Sequence, residues 1–397
     1  MATTSGPHAV HGMGRELAEP DWPPLTDDEL RGILGRRDPG GLGRQPVVIW
    51  RSPRPMSAAA LVRHGDATVF VKRHHLSVRT PAQLAAEHAF ADHLRARAQP
   101  VPAVLRMADD HGVDGFRSVL RRGDFCYEAH QVADGVDLYR DAVSWSPYAS
   151  LGHAHAAGAA LARLHLAAEG FDRAARPAAV LMNSCQVICA ADPLAEVSRL
   201  AGPRPALAAY LAGRRWPGDF EDVLAPLVRR VAPLLAALPS QWAHGDWHPS
   251  NLTWSSAAPD AQVAGIFDFG LANRTYPVHD LALALERSVV SWLDLPQTGT
   301  ATADLAAAAV ILDGYQTVRP LSDAEAAALP LLLPVVHLEY ALSEADYFTG
   351  VAVSPANADL AYEYLIGHAR WFGQPSGAAL LGFLGGHLRS YRPSAGR

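Results

Sequence analysis

Apolar and polar positions recur along this chain in two different ways, and the change divides it into two parts. Between residues 46 and 73, short apolar runs alternate with turn sequences, which predicts strands at 46–50, 58–63 and 67–73. After about residue 133, long runs with helical spacing dominate, and residues 151–168 form the strongest predicted helix. The pattern therefore predicts a small part built on a sheet, followed by a large helical part.

One helix of the first part is predicted to carry a carboxylate on its apolar face. The sequence TPAQ at residues 80–83 has the form of a capping box with proline at the first helical position. Four residues of the helix then share one face: Leu84, Glu87, Ala91 and Leu94. Because a buried carboxylate needs a cationic partner, we expect Glu87 to pair with Lys72 in the preceding strand. An exposed Glu87 on an amphipathic surface helix is the alternative.

Two polar clusters stand out from this background, and a strand-like run joins them. Residues 244–251 read HGDWHPSN, with the order H-x-D-x-x-x-x-N, and residues 267–270 read FDFG. Phosphoryl transfer needs a carboxylate that orients the attacking hydroxyl and accepts its proton, which fits Asp246. Mg²⁺ prefers oxygen ligands, which fits Asn251 and Asp268. Two ordinary turns are the alternative, and the occurrence of both clusters in this order disfavours it.

The sequence HGDWHPSN followed by IFDFG resembles the aminoglycoside phosphotransferase and choline kinase-like family of small-molecule kinases. The resemblance implies an α+β, bilobal protein-kinase-like fold, with an antiparallel sheet plus one helix in the small lobe and a large, mainly helical lobe. It implies a nucleotide-binding lobe at 26–131 and a lobe at 132–397 with the catalytic loop and acceptor-binding helices. Residues 1–25, whose first part is rich in Gly, His, Pro and small residues, are predicted to be a flexible leader. Gly245 replaces the arginine of protein kinases, and no A-P-E segment follows Asp268.

The resemblance also implies a reaction. We expect transfer of the γ-phosphate of ATP to a hydroxyl of a small molecule, with Mg²⁺ as the cofactor. The acceptor stays open between an aminoglycoside-like antibiotic, an amino alcohol, a sugar and a homoserine-like compound, as does the choice between ATP and GTP. A non-catalytic nucleotide-binding protein of the same fold and, less favoured, a protein kinase are the alternatives.

Several single residues receive roles from the same resemblance. Lys72 and Glu87 would position the phosphates, and His244 and Asp280 would support the catalytic loop. For Asp280, capping of the helix that follows is a compatible alternative. Backbone groups around His130 would hold the adenine edge, with a plain edge strand as the alternative.

The nucleotide loop has no clear sequence signal. No G-x-G-x-x-G lies between the first two predicted strands, and the glycines at 41 and 43 are interpreted as part of a linker. Ser52 and Ser57 are therefore candidate phosphate donors, although both are equally typical of an ordinary turn.

A polar and aromatic stripe follows the catalytic region. Within residues 335–348, the helical spacing aligns His337 with Tyr340, Glu344 and Tyr347. Aromatic faces and a carboxylate suit an amine-bearing acceptor, so Tyr340, Glu344 and Tyr347 are candidate acceptor residues. A solvated helix face is the alternative.

Composition narrows the choice of partners. The net charge of −6 gives no basic footprint for nucleic acid. Three cysteines cannot make a disulfide framework and favour a reducing, cytoplasmic location. The most apolar run, residues 328–342, is too short to span a membrane and contains a histidine and a glutamate. We therefore expect a soluble protein, and its oligomeric state stays open.

Overall fold

A computed structural model describes residues 8–14, 16–34, 45–108 and 116–390. In these residues a lobe built on an antiparallel sheet precedes a mainly helical lobe, which confirms the predicted α+β, bilobal architecture. The predicted linker glycines at 41 and 43 lie outside the described residues. The division between the lobes at residues 131 and 132 stays a prediction.

Strands and helices are numbered here in chain order within the described residues. The strands are β1 (Val10–His11), β2 (Leu17–Ala18), β3 (Val47–Arg51), β4 (Ala58–His64), β5 (Ala67–His75), β6 (Met107–Ala108), β7 (Phe116–Arg117), β8 (Leu120–Arg122), β9 (Phe125–Gln131), β10 (Gln241–Ala243), β11 (Leu252–Trp254), β12 (Val263–Ile266) and β13 (Asn273–Thr275). The helices are α1 (Asp27–Leu34), α2 (Pro81–Ala96), α3 (Leu151–Ala168), α4 (Pro193–Ala201), α5 (Pro205–Ala212), α6 (Trp216–Val223), α7 (Ala225–Ala236), α8 (Pro277–Val289), α9 (Leu295–Thr298), α10 (Leu305–Val318), α11 (Asp323–Leu332), α12 (Leu338–Gly350), α13 (Pro355–Trp371) and α14 (Pro375–Ser390).

The main sheet has the strand order β3-β4-β5-β9-β8, and every neighbouring pair is antiparallel. Alternation along β5 buries Val69 and Val71 in the core of the small lobe. Phe70 and Lys72 point to the opposite face, where they line a cleft between the sheet and the helical lobe. The strands predicted at 46–50, 58–63 and 67–73 match β3, β4 and β5 closely.

Helix α2 begins at the predicted capping box. Thr80 Oγ1 accepts a hydrogen bond from the Gln83 amide at 3.3 Å, and Gln83 Oε1 accepts one from the Thr80 amide at 2.8 Å. Glu87 is only 5% exposed, so the carboxylate lies on the buried face of the helix and the surface alternative is wrong.

The N-terminal segment, defined here as the described residues between 8 and 25, packs against both lobes. Val10 is fully buried, and the ring of Trp22 stacks on His75 with 4.9 Å between centroids. Trp22 Nε1 also donates a hydrogen bond to the hydroxyl of Tyr347 in α12 at 3.1 Å. The predicted flexible leader is therefore wrong for these residues, because aromatic and apolar side chains anchor them.

Helices α3 and α10 form the centre of the large lobe and approach each other through glycines. A Cβ at Gly158 would clash with the Ile311 carbonyl oxygen, and one at Gly314 would clash with the His155 carbonyl oxygen. Since backbone atoms leave no flexible side chain to move aside, this close approach requires glycine on both helices.

One helical stretch of the described residues, Asp323–Gly350, is long and apolar enough to cross a membrane by length and composition. However, 72% of its apolar window is buried inside the protein. Burial of this kind is typical of core helices.

Replacement of Gly158 should test the close approach of α3 and α10. We expect Gly158→Ala to lower the free energy of unfolding by about 1–3 kcal/mol, because the new methyl group must push two backbones apart. Gly386→Ala is the matched control, since a Cβ there meets open space on α14. Urea unfolding should show no loss of stability for the control. Equal stability of the two variants would contradict the packing argument.

Candidate active site

The catalytic loop leaves β10 through a tight turn. Gly245 has φ of +77°, and a Cβ there would clash with the Leu271 carbonyl oxygen. The loop then forms a short 3-10 helix, Pro249–Asn251, which leads directly into β11. Strand β11 pairs with β12, so the chain returns to place Asp268 beside the loop.

The carboxylate of Asp280 binds the backbone of this loop. Its fully buried carboxylate accepts hydrogen bonds from the backbone amides of His244 and Gly245, each at 2.8 Å. His165 Nε2 lies 3.1 Å from the same carboxylate. Burial opposes ionisation, but the hydrogen bond and charge of His165 outweigh it and lower the pKa of Asp280. Asp280 therefore contacts the loop backbone as its predicted supporting role requires, and that role stays a prediction; His165 is a core histidine.

Asp246 stands at the centre of the loop. Asn251 Nδ2 donates to its Oδ2 at 3.1 Å and to its backbone oxygen at 2.8 Å. The guanidinium of Arg287, which is itself buried, forms an ion pair with Oδ1 of the carboxylate. His248 Nε2 lies 3.4 Å from the same oxygen. The carboxylate is therefore fixed from several sides and still one-fifth exposed, with 19% accessible to solvent.

Asp268 and Lys72 meet in the cleft. Lys72 Nζ lies 3.1 and 3.2 Å from the two carboxylate oxygens of Asp268. Burial opposes ionisation of Asp268, but the charge and hydrogen bonds of Lys72 outweigh it and lower its pKa to about 2. Asp268 also adopts a left-handed backbone conformation, with φ of 59°, which an L residue adopts only where its surroundings hold it.

The oxygens of Asn251 and Asp268 fit a hard divalent cation. Asn251 uses its Nδ2 for Asp246 and His248, and no hydrogen bond with the described residues occupies its Oδ1. Asp268 offers a charged oxygen set that is 40% exposed to the cleft. A neutral amide oxygen and an ionised carboxylate are a suitable ligand pair for Mg²⁺.

The predicted ion pair between Lys72 and Glu87 is wrong. Glu87 is bound instead by Arg176, and Arg79 Nε lies 3.4 Å from the same oxygen. Arg176 also donates to the backbone carbonyls of Gly270 and Ala272, which follow Asp268. Glu87 does line the cleft. Its carboxylate, however, binds Arg176, which in turn binds the backbone after Asp268.

A second carboxylate near Lys72 escaped the sequence analysis. Glu128 lies opposite Lys72 in the sheet register and is contacted by His74 at 3.0 Å, His88 at 2.7 Å and His130 at 3.1 Å. Burial opposes its ionisation, but the charge of His130 and the three hydrogen bonds keep its pKa well below the usual range. A lone Glu in a strand gives no signal for such a cluster.

Part of the predicted adenine-binding backbone is paired within the protein. The carbonyl of Ala129 accepts from Leu105 at 2.7 Å, and the amide of Gln131 donates to Ala103 at 2.9 Å. His130 itself lies in register with Phe70 of β5. These two groups are thus engaged within the protein, whereas the assignment of adenine binding to the backbone around His130 stays a prediction; the residue itself lines the cleft.

The two serines of the β3–β4 turn are separated by the structure. Ser52 lines the cleft and its Oγ accepts from the Arg54 amide at 3.2 Å, which is ordinary turn geometry. Ser57 lines a smaller hollow beside the N-terminal segment. Among the described residues that line the cleft, Ser57 is absent, so its phosphate-binding assignment is not supported.

The predicted acceptor stripe on α12 is buried rather than solvated. Tyr340 lies against the guanidinium of Arg287, 4.9 Å from ring centroid to Cζ. Glu344 is 2% exposed, and burial raises its pKa to about 8. Tyr347 instead belongs to a separate apolar cluster with Val78, and its hydroxyl donates to Asp21 at 2.8 Å. Tyr340 and Glu344 are thus linked to Asp246 through Arg287, and Tyr347 is not part of that chain of contacts.

Arg287 is the main site residue that sequence analysis missed. It lies seven positions after Asp280 on α8, which is two helical turns, so both residues face the catalytic loop. That spacing from Asp280 is a signal that could have identified it. Arg176 offers no comparable signal, because it lies in an irregular segment.

The lobes, the cleft and the loop geometry define a protein-kinase-like protein. A solved aminoglycoside phosphotransferase from Alicyclobacillus acidocaldarius has this fold, with a TM-score of 0.50 at 15% identity over 93% of this chain and 98% of that one. The model of the phosphotransferase enzyme family, APH, matches residues 57–321, and the chain belongs to this family.

Curated relatives give a partial match. A homoserine kinase from Gluconobacter oxydans is 33% identical over 188 residues, which cover 47% of this chain and 51% of that protein. An uncharacterized protein from Deinococcus radiodurans is 28% identical over 313 residues, covering 77% and 78% of the two chains. This chain thus spans about half the length of the homoserine kinase that it matches.

A double-mutant cycle should separate the two possible partners of Glu87. We expect Glu87→Gln and Arg176→Gln to show a coupling of about 0.5–3 kcal/mol in the free energy of unfolding. Glu87→Gln and Lys72→Met should be nearly additive, because Lys72 contacts Asp268 instead. Stronger coupling of Glu87 to Lys72 than to Arg176 would contradict the geometry.

The buried glutamates should make the protein less stable as the pH rises. Glu344 keeps its proton in the folded state to about pH 8, whereas the unfolded chain releases it near pH 4.5. Between pH 6.5 and 8 the folded state therefore binds more protons at Glu344, and this contribution to the free energy of unfolding falls with pH. Burial lowers the pKa of His337 and of His368 to about 3, and these histidines act in the opposite direction near pH 6.5, because the unfolded chain still protonates them there; their effect fades as the pH rises towards 8.

Glu344→Gln should flatten this pH dependence. Urea unfolding at several pH values between 6.5 and 8 measures the slope. The exposed Glu363→Gln is the control and should leave the slope unchanged. A slope that is the same in both variants would show that Glu344 does not retain its proton in the folded state.

Proposed function

We propose that this protein transfers the γ-phosphate of ATP to a hydroxyl group of a small molecule. The observation that carries the proposal is that Lys72, Asn251 and Asp268 line one cleft, and that Asn251 donates a hydrogen bond to the carboxylate of Asp246 beside it. Membership of the phosphotransferase family supports the same reaction. The complete set of charged residues disfavours a non-catalytic scaffold, and Gly245 disfavours a protein kinase.

Each residue has a distinct part in the proposed reaction. Asp246 orients the acceptor hydroxyl and takes its proton as the bond from the hydroxyl oxygen to the γ-phosphorus forms and the bond to the bridging oxygen breaks, so that ADP leaves. Lys72 contacts phosphate oxygens. Asn251 and Asp268 would hold Mg²⁺, which when bound neutralises phosphate charge. Asp280 keeps the loop backbone in place, so Asp246 needs little rearrangement when substrate binds.

We infer that the acceptor carries both an amine and an acid group. Several buried polar atoms of Arg287, Glu286 and Glu344 have no hydrogen-bond partner in the described part of the chain. They are Arg287 Nε and Nη2, Glu286 Oε2 and Glu344 Oε2. A carboxylate would satisfy the guanidinium, and an ammonium group would satisfy the glutamates.

Homoserine has this combination of groups, and partial relatives bear the name homoserine kinase. It is therefore the first acceptor to test, ahead of amino alcohols, sugars and aminoglycosides. A screen that measures ADP release with each class discriminates among them. Transfer to an uncharged sugar alone would contradict the inferred acceptor class while leaving the kinase reaction intact. We also propose that the protein is located in the cytoplasm.

Replacement of the proposed base should separate chemistry from binding. We expect Asp246→Asn to lower kcat by about 10²–10⁴-fold, because the amide cannot accept the hydroxyl proton. ATP affinity, measured by calorimetry, should stay close to that of the unsubstituted protein. Asp260→Asn, in the exposed turn between β11 and β12, is the matched control and should retain full turnover. Undiminished turnover in Asp246→Asn would refute the assignment.

A further inference from the structure

The turn between β3 and β4 carries an arginine at the place where a glycine-rich phosphate loop is missing. Residues 52–57 read SPRPMS and contain no glycine. Arg54, in the middle of this turn, lines the same cleft as Lys72, Asn251 and Asp268. No sequence pattern marked this residue, because a single arginine between two prolines is common in exposed turns.

Contacts from two directions hold the Arg54 side chain. Its Nη1 donates to the carbonyl of Ala142 at 2.8 Å and lies 3.0 Å from His11 Nδ1. The turn backbone is fixed from the same side, since the His11 amide donates to the Pro53 carbonyl at 2.8 Å. His8 Nε2 lies 3.1 Å from the Ser52 carbonyl oxygen. The guanidinium is thus oriented before any ligand binds.

The other donors of Arg54 stay unused. Neither Nε nor Nη2 forms a hydrogen bond with the described residues, whereas Nη1 makes both of the contacts above. A guanidinium with one fixed nitrogen and two open ones presents a fork to phosphate oxygens.

Its charge acts on the catalytic groups. Burial lowers the pKa of Arg54, and the negative charges of Asp268, Asp137 and Asp141 oppose this shift. The pKa of His248, which lies beside Asp246, is lowered to about 3. Burial is the main cause of this shift, and the positive charge of Arg54 is the second. The cation therefore lies within electrostatic reach of both the metal-ligand candidate and the catalytic loop.

We propose that Arg54 binds the terminal phosphates of the nucleotide through Nε and Nη2, with His11 as a positioning residue that holds its guanidinium. This inference rests on the proposed function, because it requires nucleotide to bind in the cleft. It assigns to a charged side chain the phosphate contact that backbone amides of a glycine-rich loop would otherwise make. It also gives the N-terminal segment a part in the site.

A purely structural clasp between the lobes is the competing explanation. Arg54 joins the N-terminal segment to Ala142 of the large lobe, and this contact alone could account for its burial. The two explanations differ in which part of the nucleotide responds to substitution. A phosphate contact affects ATP and not adenosine, whereas a clasp affects all ligands of the cleft alike.

Calorimetry with the full chain and Mg²⁺, without acceptor, tests the proposal. For Arg54→Gln we expect the Kd for ATP to rise by at least about tenfold, since charge-assisted hydrogen bonds are lost. The Kd for adenosine should not change. Arg51→Gln is the matched control, because Arg51 donates to the Leu25 carbonyl at 3.3 Å and does not line the cleft. It should bind both ligands normally.

A second variant keeps the test decisive. His11→Ala should weaken ATP binding by a smaller factor than Arg54→Gln and should leave adenosine binding unchanged, because the arginine remains but loses one support. Unchanged ATP affinity in Arg54→Gln, or equal losses for ATP and adenosine, would overturn the proposal and leave the kinase assignment standing. Failure of the unsubstituted protein to bind any nucleotide would instead refute the proposed function, and this inference with it.

Discussion

The two hydrogen bonds from the backbone of His244 and Gly245 to Asp280 are the constraint on which the rest of the site depends. A fully buried carboxylate is tolerated only when its acceptor sites are filled, and here two amides and His165 fill them. His165 in turn contacts the Tyr315 hydroxyl of α10 at 2.8 Å. His165 lies on α3 and Tyr315 on α10, the two helices that pack closely at their glycines. Their packing therefore supports the backbone of the loop that carries Asp246 through a short series of hydrogen bonds.

Arginines distribute charge through the same region. Arg287 forms an ion pair with Asp246, the proposed base, and also lies against Tyr340, so a single cation lies between the loop and helix α12. Arg176 neutralises Glu87 and binds the backbone after Asp268. Because Glu87 is satisfied in this way, Lys72 remains free to contact Asp268 on the open side of the cleft. Arg176 thus pairs with the buried carboxylate of Glu87, whereas Lys72 pairs with the exposed carboxylate of Asp268.

Local signals explain what the sequence could predict. Strand alternation, the capping box before α2 and the spacing within residues 244–251 depend on neighbouring residues, and each of these features is found in the structure. The missed features join distant parts of the chain: Arg176 and Glu87 are separated by 89 positions, and Trp22 and Tyr347 by 325. No periodicity relates such positions, so a buried carboxylate shows that a partner is needed but not which cation supplies it.

The N-terminal segment makes several of these contacts between distant parts of the chain. Trp22 stacks on His75 at the end of β5 and bonds Tyr347 on α12, while His11 contacts Arg54 in the β3–β4 turn. Helix α12 also carries Tyr340 and Glu344, next to Arg287. The segment therefore joins the proposed phosphate side of the cleft to the helix proposed to bind the acceptor, along a route outside the cleft itself. A movement of one lobe relative to the other would therefore have to carry this segment along or break its contacts with His75, Tyr347 and Arg54.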